Sequence, residues 1–282
     1  MSRRFRRSVA LALVTAAVGA AGCGSDSGTT GQLSVRLTDA PGDYIQSATI
    51  WVSSIYLIGG TDPAGPRYTI ASTPASYELT ALHDGVDAAL GTATIPVGDY
   101  TQMRLVVDRA EVTLKPGVTI GGASTVSLQT PSAQRTGIKV NFSGPLQVAP
   151  GQTVLVVDFD VSRNFVFNGP AGAPNGVLFK PVLHATVTDI AGAIAGTASP
   201  ASANHLLFAI VTPTGGLPDT VASAVADPAT GAYILRYLDP RVSPFTVADS
   251  AIGYRTQQTT QVAVLAARTT PSVDFTLLPL VR

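Results

Sequence analysis

Two acidic residues stand two positions apart in the segment VVDFDVS, and their type and spacing could do chemistry. They are Asp158 and Asp160, and apolar residues flank and separate them. Because successive side chains of a β-strand point to opposite faces, a strand here places both carboxylates on one face. Two like charges at this spacing repel each other unless a cation compensates them. The segment therefore predicts either a metal site or a pair of acids held by basic side chains.

Calcium is the metal that this pattern favours, and it is the only cofactor that the sequence suggests. Calcium takes about six to eight oxygen ligands, and Asp39 or Asp43 in the segment DAPGDY could add carboxylate oxygens to those of the pair. Alternatively, the pair caps turns or binds a basic side chain; the three candidates are Arg163, Lys180 and Lys139. The two lysines can equally occupy ordinary outward-facing positions of strands.

No residue set in the sequence predicts a reaction. The two acids of a glycoside hydrolase flank the scissile bond, whereas side chains two apart on a strand face the same way. The three histidines, His83, His184 and His205, are widely spaced, and a single cysteine leaves no zinc pattern. A nucleophile elbow and glycine-rich phosphate loops are absent from the sequence. We therefore expect a protein that is not an enzyme, with an extracytoplasmic hydrolase of unrecognised site as an alternative.

Several aromatic residues near the strand segments could stack on sugar rings; they are Tyr44, Trp51, Tyr56 and Tyr68. Aromatic side chains beside apolar strand residues more often pack in the core or pair across strands. The sequence favours these packing roles. It leaves open, as a second alternative, a calcium-stabilised adhesive or carbohydrate-contacting surface protein.

The amino terminus has the pattern of an export signal. Four arginines lie within residues 3–7, and an apolar run follows over residues 9–21. This run is too short to cross the hydrocarbon core of a bilayer, which is about 30 Å thick, but it suits a cleavable signal. Small residues then precede Cys23, the only cysteine, and the polar segment GSDSGTTG comes after it.

This arrangement of residues resembles a bacterial lipobox. The resemblance implies a signal peptide over residues 1–22, lipid attachment to Cys23 and a flexible tether over residues 23–31. The implied location is extracytoplasmic, with the lipid anchoring the protein to the cell envelope, in the outer membrane where the organism has one. Without the lipid, the same pattern describes an ordinary secretory signal.

The composition limits both the partners and the fold. With 18 basic and 18 acidic residues, no long-range field draws the chain toward nucleic acid, and we predict no such partner. A protein or glycan partner stays open. Only 13% of the residues are charged, against about 25% in an average soluble domain. Together with 27 glycines, 20 prolines and many β-branched residues, this favours an all-β protein with short strands.

Alternating segments place the acidic pair in a first β-rich domain, which we predict over residues 32–189. QLSVRLT alternates strictly, so Leu33, Val35 and Leu37 share one face. In ATIWVSSIYLI, two adjacent serines shift the phase of the alternation and predict a bulge. The segment SYELTALHDGVDAAL is the only helix candidate.

Seven further segments predict a second domain over residues 190–282, with the boundary near residues 189–192. They are GAIAGTA, HLLFAIVT, TVASAVAD, AYILRYL, PFTVAD, QVAVLAA and SVDFTLLPL. Short strands at this spacing, with turn residues between them, are typical of a β-sandwich. The predicted fold class is therefore all-β, with two β-sandwich-like domains joined in tandem after a cleavable signal and a flexible tether.

Six ordered motifs in residues 31–188 resemble the bacterial domain of unknown function 4382. They are GQLSVRLTDAPGDY, YELTALHDG, IPVGDYTQMRLVVD, PSAQRTGIKV, VVDFDVSRNFV and LFKPVL. That family is associated with lipidated or secreted envelope proteins and has no established activity. The resemblance therefore implies a location and a fold, but not a reaction.

Residues 190–282 resemble a carboxypeptidase-regulatory-like or transthyretin-like sandwich. The segments that carry the resemblance are GAIAGTA, DPATGAYILRYL, PFTV and SVDFTLLP. Such modules serve as spacers or as adhesive and sugar-contacting units. Because no residue set in the sequence predicts a reaction, we expect a binding or structural module of the cell envelope.

Overall fold

A computed structural model of the chain describes residues 29–39, 44–60, 62, 64–83, 85–170 and 173–280. The described residues form an all-β protein, as the sequence predicts. Buried apolar side chains form two separate clusters, one between residues 33 and 185 and one between residues 194 and 275. We call the parts of the chain around these two clusters the first unit and the second unit.

Strands of the first unit alternate between buried and more exposed residues, and two short α-helices interrupt them. Within the described residues this unit contains β1 (Thr30–Thr38), β2 (Ile45–Gly59), β3 (Arg67–Ala71), β4 (Ala75–Glu78), β5 (Ala88–Pro96), β6 (Gly98–Leu114), β7 (Thr125–Leu128), α1 (Pro131–Thr136), β8 (Ile138–Phe142), β9 (Leu146–Val148), β10 (Gly151–Asp158), α2 (Val161–Asn164), β11 (Phe165–Asn168), β12 (Gly176–Phe179) and β13 (Leu183–Val187).

One sheet of eleven strands organises the described part of the first unit. Its main path runs β3-β2-β6-β8-β13-β10-β1-β5, while β4 pairs with β2, and β7 and β9 pair with β6. The pairs β1–β10 and β8–β13 are parallel. The sheet curls until its edge strands approach each other, and a Cβ on Gly91 of β5 would lie 2.8 Å from the Cβ of Ala71 in β3. The inner face holds the core, and we call the opposite side the outer face.

The alternation in β1 and the bulge in β2 agree with the sequence predictions. Leu33, Val35 and Leu37 are fully buried. The register between β2 and β6 shifts at Val52 and again before Ser54, so an extra residue lies where the two serines change the phase.

The helix predicted over residues 76–90 is wrong. This segment contains the end of β4, a single 3₁₀ turn over Leu79–Ala81 and the start of β5. Strand β4 pairs with β2, and the Glu78 carboxylate accepts hydrogen bonds from the N–H groups of Ala48 and Thr80, both at 3.1 Å. Pairing with a neighbouring strand therefore outweighs the local helical pattern, because it satisfies backbone groups along the edge of β2.

The second unit is a sandwich of two small sheets. Its strands among the described residues are β14 (Gly192–Ser199), β15 (Leu206–Val211), β16 (Asp219–Val225), β17 (Ala232–Leu238), β18 (Phe245–Ser250), β19 (Gln257–Val262), β20 (Thr269–Thr270) and β21 (Phe275–Thr276). One sheet has the order β17-β14-β20, with β21 also paired to β14, and the other has the order β16-β15-β18-β19. The first five predicted segments match strands closely, whereas the last two contain only the ends or short pieces of strands.

The second unit rests on part of the outer face of the first sheet. Residues of β16 and β17 meet the outward side chains of β13, β10 and β1, where Thr38, Asp158 and Tyr237 line one narrow cavity. Farther along, Arg241 donates to the carbonyl oxygen of Pro145 at 3.3 Å. We call the outer face of β1, β10 and β13 the covered half, and the outer face of β3, β2, β6 and β8 the open half.

Candidate functional site

The acidic pair lies where β10 ends, and the two acids do not share a strand. Strand β10 stops at Asp158, and Asp160 has a left-handed backbone with φ of +50° just before α2. The expectation that both carboxylates project from one strand is therefore wrong. Phe159 between them is fully buried and stacks on Phe179 with ring centroids 6.0 Å apart. Anchoring this ring in the core turns the chain, and aspartate is one of the few residues that tolerates the turn.

Hydrogen bonds fix both carboxylates of the pair in this turn. One oxygen of Asp158 accepts the N–H of Asp160 at 3.2 Å, and Asp160 accepts the Ser162 hydroxyl at 2.5 Å. The carboxylate of Asp39, which follows β1, accepts the N–H of Val161 at 2.7 Å. The structure therefore brings Asp39 beside the pair, as the sequence suggests, but as a backbone acceptor at the start of α2. Asp43 lies outside the described residues.

Burial dominates the electrostatics of the pair. It raises the pKa of Asp158 well above its usual range, and the neighbouring charge of Asp160 raises this pKa further. Burial also raises the pKa of Asp160, although the Ser162 and Ser223 hydroxyls and the charge of Arg163 lower it in part. Both carboxyl groups therefore hold a proton more tightly than an exposed aspartate does.

Three side chains from both units surround the pair at the contact. Arg163 of α2 donates to the carbonyl oxygen of Thr220 in β16, and its guanidinium lies 3.8 Å from Asp219. His184, directly opposite Asp158 in the ladder of β13 and β10, lies 3.4 Å from Asp219. Burial lowers the pKa of His184, and the charge of Asp219 raises it in part.

Of the three basic partners proposed from the sequence, only Arg163 lies at the pair. Lys139 is exposed on the open half, at the β8 position opposite Arg104. Lys180 is also exposed, and its backbone N–H donates to the carbonyl oxygen of Asn164 at 2.8 Å. Asp219 and Ser223 of the second unit face the pair without any sequence signal, because nothing in TVASAVAD indicates which surface it meets.

The calcium prediction for Asp158 and Asp160 stays a prediction. In the part of the chain that the structure describes, no three acidic, histidine or cysteine side chains are grouped so that they could hold a metal ion. The cavity beside Asp158 has a volume of about 30 Å³, which is room for about two waters. Within the described residues, Asp160 Oδ2 and the Ser223 hydroxyl are both buried and neither makes a hydrogen bond of normal geometry.

His205 is a buried structural histidine of the second unit. Its Nδ1 lies 2.8 Å from Asp249 Oδ2, and its Nε2 lies 2.9 Å from the carbonyl oxygen of Pro200. Because a carbonyl only accepts, Nε2 must donate. Nδ1 then either donates to the Asp249 carboxylate or accepts its proton, and burial raises the pKa of Asp249. The buried pair is neutral as a whole in both cases, which suits a core position. His83 lies beside the narrow cavity at the contact.

The four aromatic candidates separate into two kinds. Tyr68 packs edge-on against Tyr100 with centroids 5.6 Å apart, and Tyr44 packs edge-on against Phe167 at 5.4 Å. Trp51 and Tyr56 instead lie on the open half, each with an arginine over its ring. The predicted packing role therefore describes Tyr44 and Tyr68, whereas Trp51 and Tyr56 belong to a polar surface.

The fold and the site define the class of this protein. It is an all-β protein of two packed units, with acidic residues at the contact between them. Residues 30–181 match the family described as domain of unknown function (DUF4382). The chain belongs to this family, which confirms the resemblance of residues 31–188. The carboxypeptidase-regulatory-like resemblance of residues 190–282 stays a prediction. A search of curated proteins found no match to the chain.

Several solved structures are distantly similar to the chain. The Bacillus anthracis TIE protein is 10% identical with a TM-score of 0.24, and the match covers 89% of this chain and 34% of that one. A leucine-rich repeat protein from Bacteroides thetaiotaomicron is 8% identical with a TM-score of 0.16, covering 89% and 26%. The major pilin from Streptococcus pyogenes is 11% identical with a TM-score of 0.14, covering 89% and 96%. The chain thus spans about a third or less of the first two structures, and scores this low carry no functional argument.

The predicted export and anchoring signals cannot be placed on this fold, because residues 1–28, including Cys23, lie outside the described residues. Among the residues that are described, no helix has both the length and the apolar character needed to cross a bilayer.

Proposed function

We propose that the chain is a non-catalytic binding or structural module of the cell envelope, anchored by lipid on Cys23. The position of the buried acids carries this proposal. Asp160 is buried and Asp158 is half-buried where the two units meet, and Arg163 beside them donates to the second unit. Acids withdrawn into such a contact are poorly placed to meet a substrate, whereas acids that catalyse a reaction must reach a substrate in an open cleft.

The second unit acts in this proposal as a carboxypeptidase-regulatory-like spacer, separated from the first domain near residues 189–192. Two observations support it. Each unit has its own buried apolar cluster, and Arg163, His184 and Asp219 form polar contacts between the two units. A module of two rigid domains behind a flexible tether holds its surfaces away from the membrane.

The anchor is tested with the variant Cys23→Ser and intact-mass spectrometry of the protein extracted from its native membranes. We expect the wild type to have a mass that fits cleavage before Cys23 plus acyl chains, and to fractionate with membranes. The variant should appear in the soluble fraction. Membrane retention of the variant, or an unlipidated wild-type mass, would contradict the anchor and make this a secreted protein.

Calcium binding at the acidic pair is a second candidate role. It is favoured by the buried and unbonded Asp160 Oδ2 and by the cavity beside Asp158 in the described contact, since a cation there would relieve the repulsion of the two acids. The test compares melting temperatures in millimolar calcium and in chelator for the wild type and Asp158→Asn/Asp160→Asn. A calcium-dependent rise that the double variant loses supports the site, and equal wild-type melting in both solutions removes it.

A further inference from the structure

The open half of the outer face carries cations and aromatic rings side by side. The cations are Arg67, Arg104, Arg109 and Lys139, and the rings are Trp51 and Tyr56. All lie on strands β3, β2, β6 and β8, whose alternate residues form the core beneath. Rigid strands therefore hold these side chains, and no mobile loop positions them.

The strand register sets three of these side chains in one row across the sheet. Tyr56 of β2 pairs directly with Arg104 of β6, and Arg104 pairs with Lys139 of β8. Directly paired residues point to the same face, and neighbouring strands are about 4.7–4.9 Å apart. The row thus presents an aromatic ring and two positive charges at regular spacing, with Arg67 over the Tyr56 ring at 4.9 Å.

Two of the arginines are held in place by rings and keep their hydrogen-bonding edges free. The Cζ atom of Arg109 lies 3.6 Å from the centroid of the Trp51 ring, and Arg67 lies over Tyr56. In the described part of the chain, neither guanidinium donates a hydrogen bond to a protein group. A stacked guanidinium retains its planar fork of N–H donors, which matches a carboxylate or sulfate group.

Nearby acids do not neutralise these charges. Within the described residues, none of the four cations forms an ion pair. Asp108 and Glu111 share this face and flank Arg109 in β6, but they lie away from the row of Tyr56, Arg104 and Lys139, and Asp108 accepts the Ser53 hydroxyl at 3.0 Å. The row is therefore a local positive surface on a chain whose formal net charge is zero.

We propose that the open half binds an acidic polysaccharide, with its carboxylate or sulfate groups on the four cations. This inference rests on the proposed function of a binding module and names the class of its ligand. Hydroxyl and amide side chains beside the cations supply donors and acceptors for sugar hydroxyls; they are Ser53, Ser54, Thr69 and Gln102. A positively charged and hydroxyl-rich sheet face is complementary to an extended polymer with one negative charge per sugar.

A lipid bilayer fits this face less well than a polysaccharide. Proteins that bind a bilayer surface bury apolar side chains in it besides pairing with its head groups. The exposed large apolar residues of the described chain lie outside β2, β3, β6 and β8; examples are Leu217, Ile252 and Leu280. The open half thus offers charge and hydrogen bonds, and its two large rings, Trp51 and Tyr56, are partly covered by arginines.

The experiment measures binding of the full mature chain, kept in detergent, to polygalacturonate, with neutral dextran as the control polymer. Arg104→Gln/Lys139→Gln removes two charges of the row, and Arg67→Gln/Arg109→Gln removes two arginines without side-chain hydrogen bonds. Arg255→Gln/Arg268→Gln removes two exposed charges of the second unit and is the matched control. Melting curves check that each variant folds.

We expect binding to polygalacturonate that weakens with salt, and no binding to dextran. Each open-half variant should weaken this binding by about tenfold or more, and the second-unit control by less than about twofold. Absence of polygalacturonate binding, or equal losses in all three variants, would overturn the proposal. So would tighter binding to phosphatidylglycerol vesicles that shows the same dependence on Arg104 and Lys139. The titration does not depend on Cys23, so loss of the anchor and loss of this site give different results.

Discussion

The covered half holds the buried acids of one sheet face, the open half holds cations that form no ion pair within the described residues, and this difference has a physical reason. The covered half holds Asp158, whose burial raises its pKa, and Asp160 lies in the turn that follows. The open half holds arginines and a lysine that keep their charge in contact with water. Acids can lose their charge by taking up a proton and so tolerate enclosure, whereas arginine remains charged and stays near solvent or a partner.

The covered half and the open half also differ in backbone strain. Asp160 and Tyr237, both beside the covered half, have positive φ values of 50° and 57°. Among the described residues of β2, β3, β6 and β8, none with a side chain has a positive φ. The contact between the units therefore includes two backbone positions that side-chain residues rarely adopt, whereas the described strands of the open half, although bulged, contain none. The contact between the two units is therefore specified by tertiary packing, and the open half is specified by strand alternation.

The largest expected effect of a single change is at the turn that shapes the covered half. Phe159→Ala should lower the free energy of unfolding by about 3–5 kcal/mol, because a fully buried ring leaves a cavity among Phe165 and Phe179. The matched change Trp51→Ala on the open half should cost no more than about 1 kcal/mol. Urea unfolding of both variants measures the difference, and similar losses would contradict the comparison.

Arginines of the two halves should also differ in their contribution to stability. Arg163→Met should lower the free energy of unfolding by about 1–2 kcal/mol, because it removes a charged donor to Thr220 and the cation nearest the two acids. Arg109→Met, which removes only the contact with the Trp51 ring, should cost about 0.5–1 kcal/mol. Urea denaturation tests this order. A larger loss of unfolding free energy in Arg109→Met than in Arg163→Met would contradict the view that Arg163 stabilises the contact between the units more than Arg109 stabilises the open half.

A pair of variants at Asp160 isolates the strain in the covered half. Asp160→Ala should be less stable than Asp160→Asn by about 1–2 kcal/mol, because alanine tolerates a φ of +50° less well than asparagine does. Both variants remove the charge, and making each in a Ser162→Ala background also removes the hydrogen bond from the Ser162 hydroxyl, so the difference between them reports mainly on the backbone. Thermal unfolding at one pH measures it, and equal stability would show that the turn relaxes without cost.

The smallest expected change concerns the dependence of stability on pH. A carboxyl group whose pKa rises on folding stabilises the protein fully below its unfolded pKa of about 4, and this contribution is lost as the pH rises through the folded value. Because the pKa of Asp158 is raised, Asp158→Asn should melt at a higher temperature than the wild type at pH 7, measured in chelator. The gain should vanish below about pH 4.

The control for this measurement is Asp108→Asn, which makes the same chemical change at an exposed acid of the open half. A gain at pH 7 that both variants share would contradict the assignment to the covered half, since it would then reflect the net charge of the protein.

Much of the fold could be predicted from alternation, but the contact between the units could not. The strict alternation of the first strand predicts the burial of Leu33, Val35 and Leu37, and the two adjacent serines predict the bulge before Ser54. The apolar spacing of the segment around Leu79 fits a helix, yet the residues just before Leu79 pair with the edge of β2 as strand β4. Local patterns report which side of an element is buried, and they do not report which neighbour satisfies its backbone.

The candidate site shows the same limit at the level of single residues. The sequence indicates that Asp158, Asp160 and Arg163 belong together and suggests that Asp39 is near. It does not indicate Asp219 or Ser223, which lie on a strand about 60 residues farther along the chain. Nor does it show that Phe159 enters the core and separates the two acids. Only the position of the second unit decides that these acids are enclosed.

By itself, the sequence determined the all-β class, the family of the first unit and the buried face of most strands. These properties follow from composition and short-range alternation, because burial on one side of a strand repeats every second residue. The tertiary structure alone decided that one sheet face is divided into a covered acidic half and an open cationic half. That division depends on strand register and on where the second unit rests, and both are set by contacts between residues far apart in the chain.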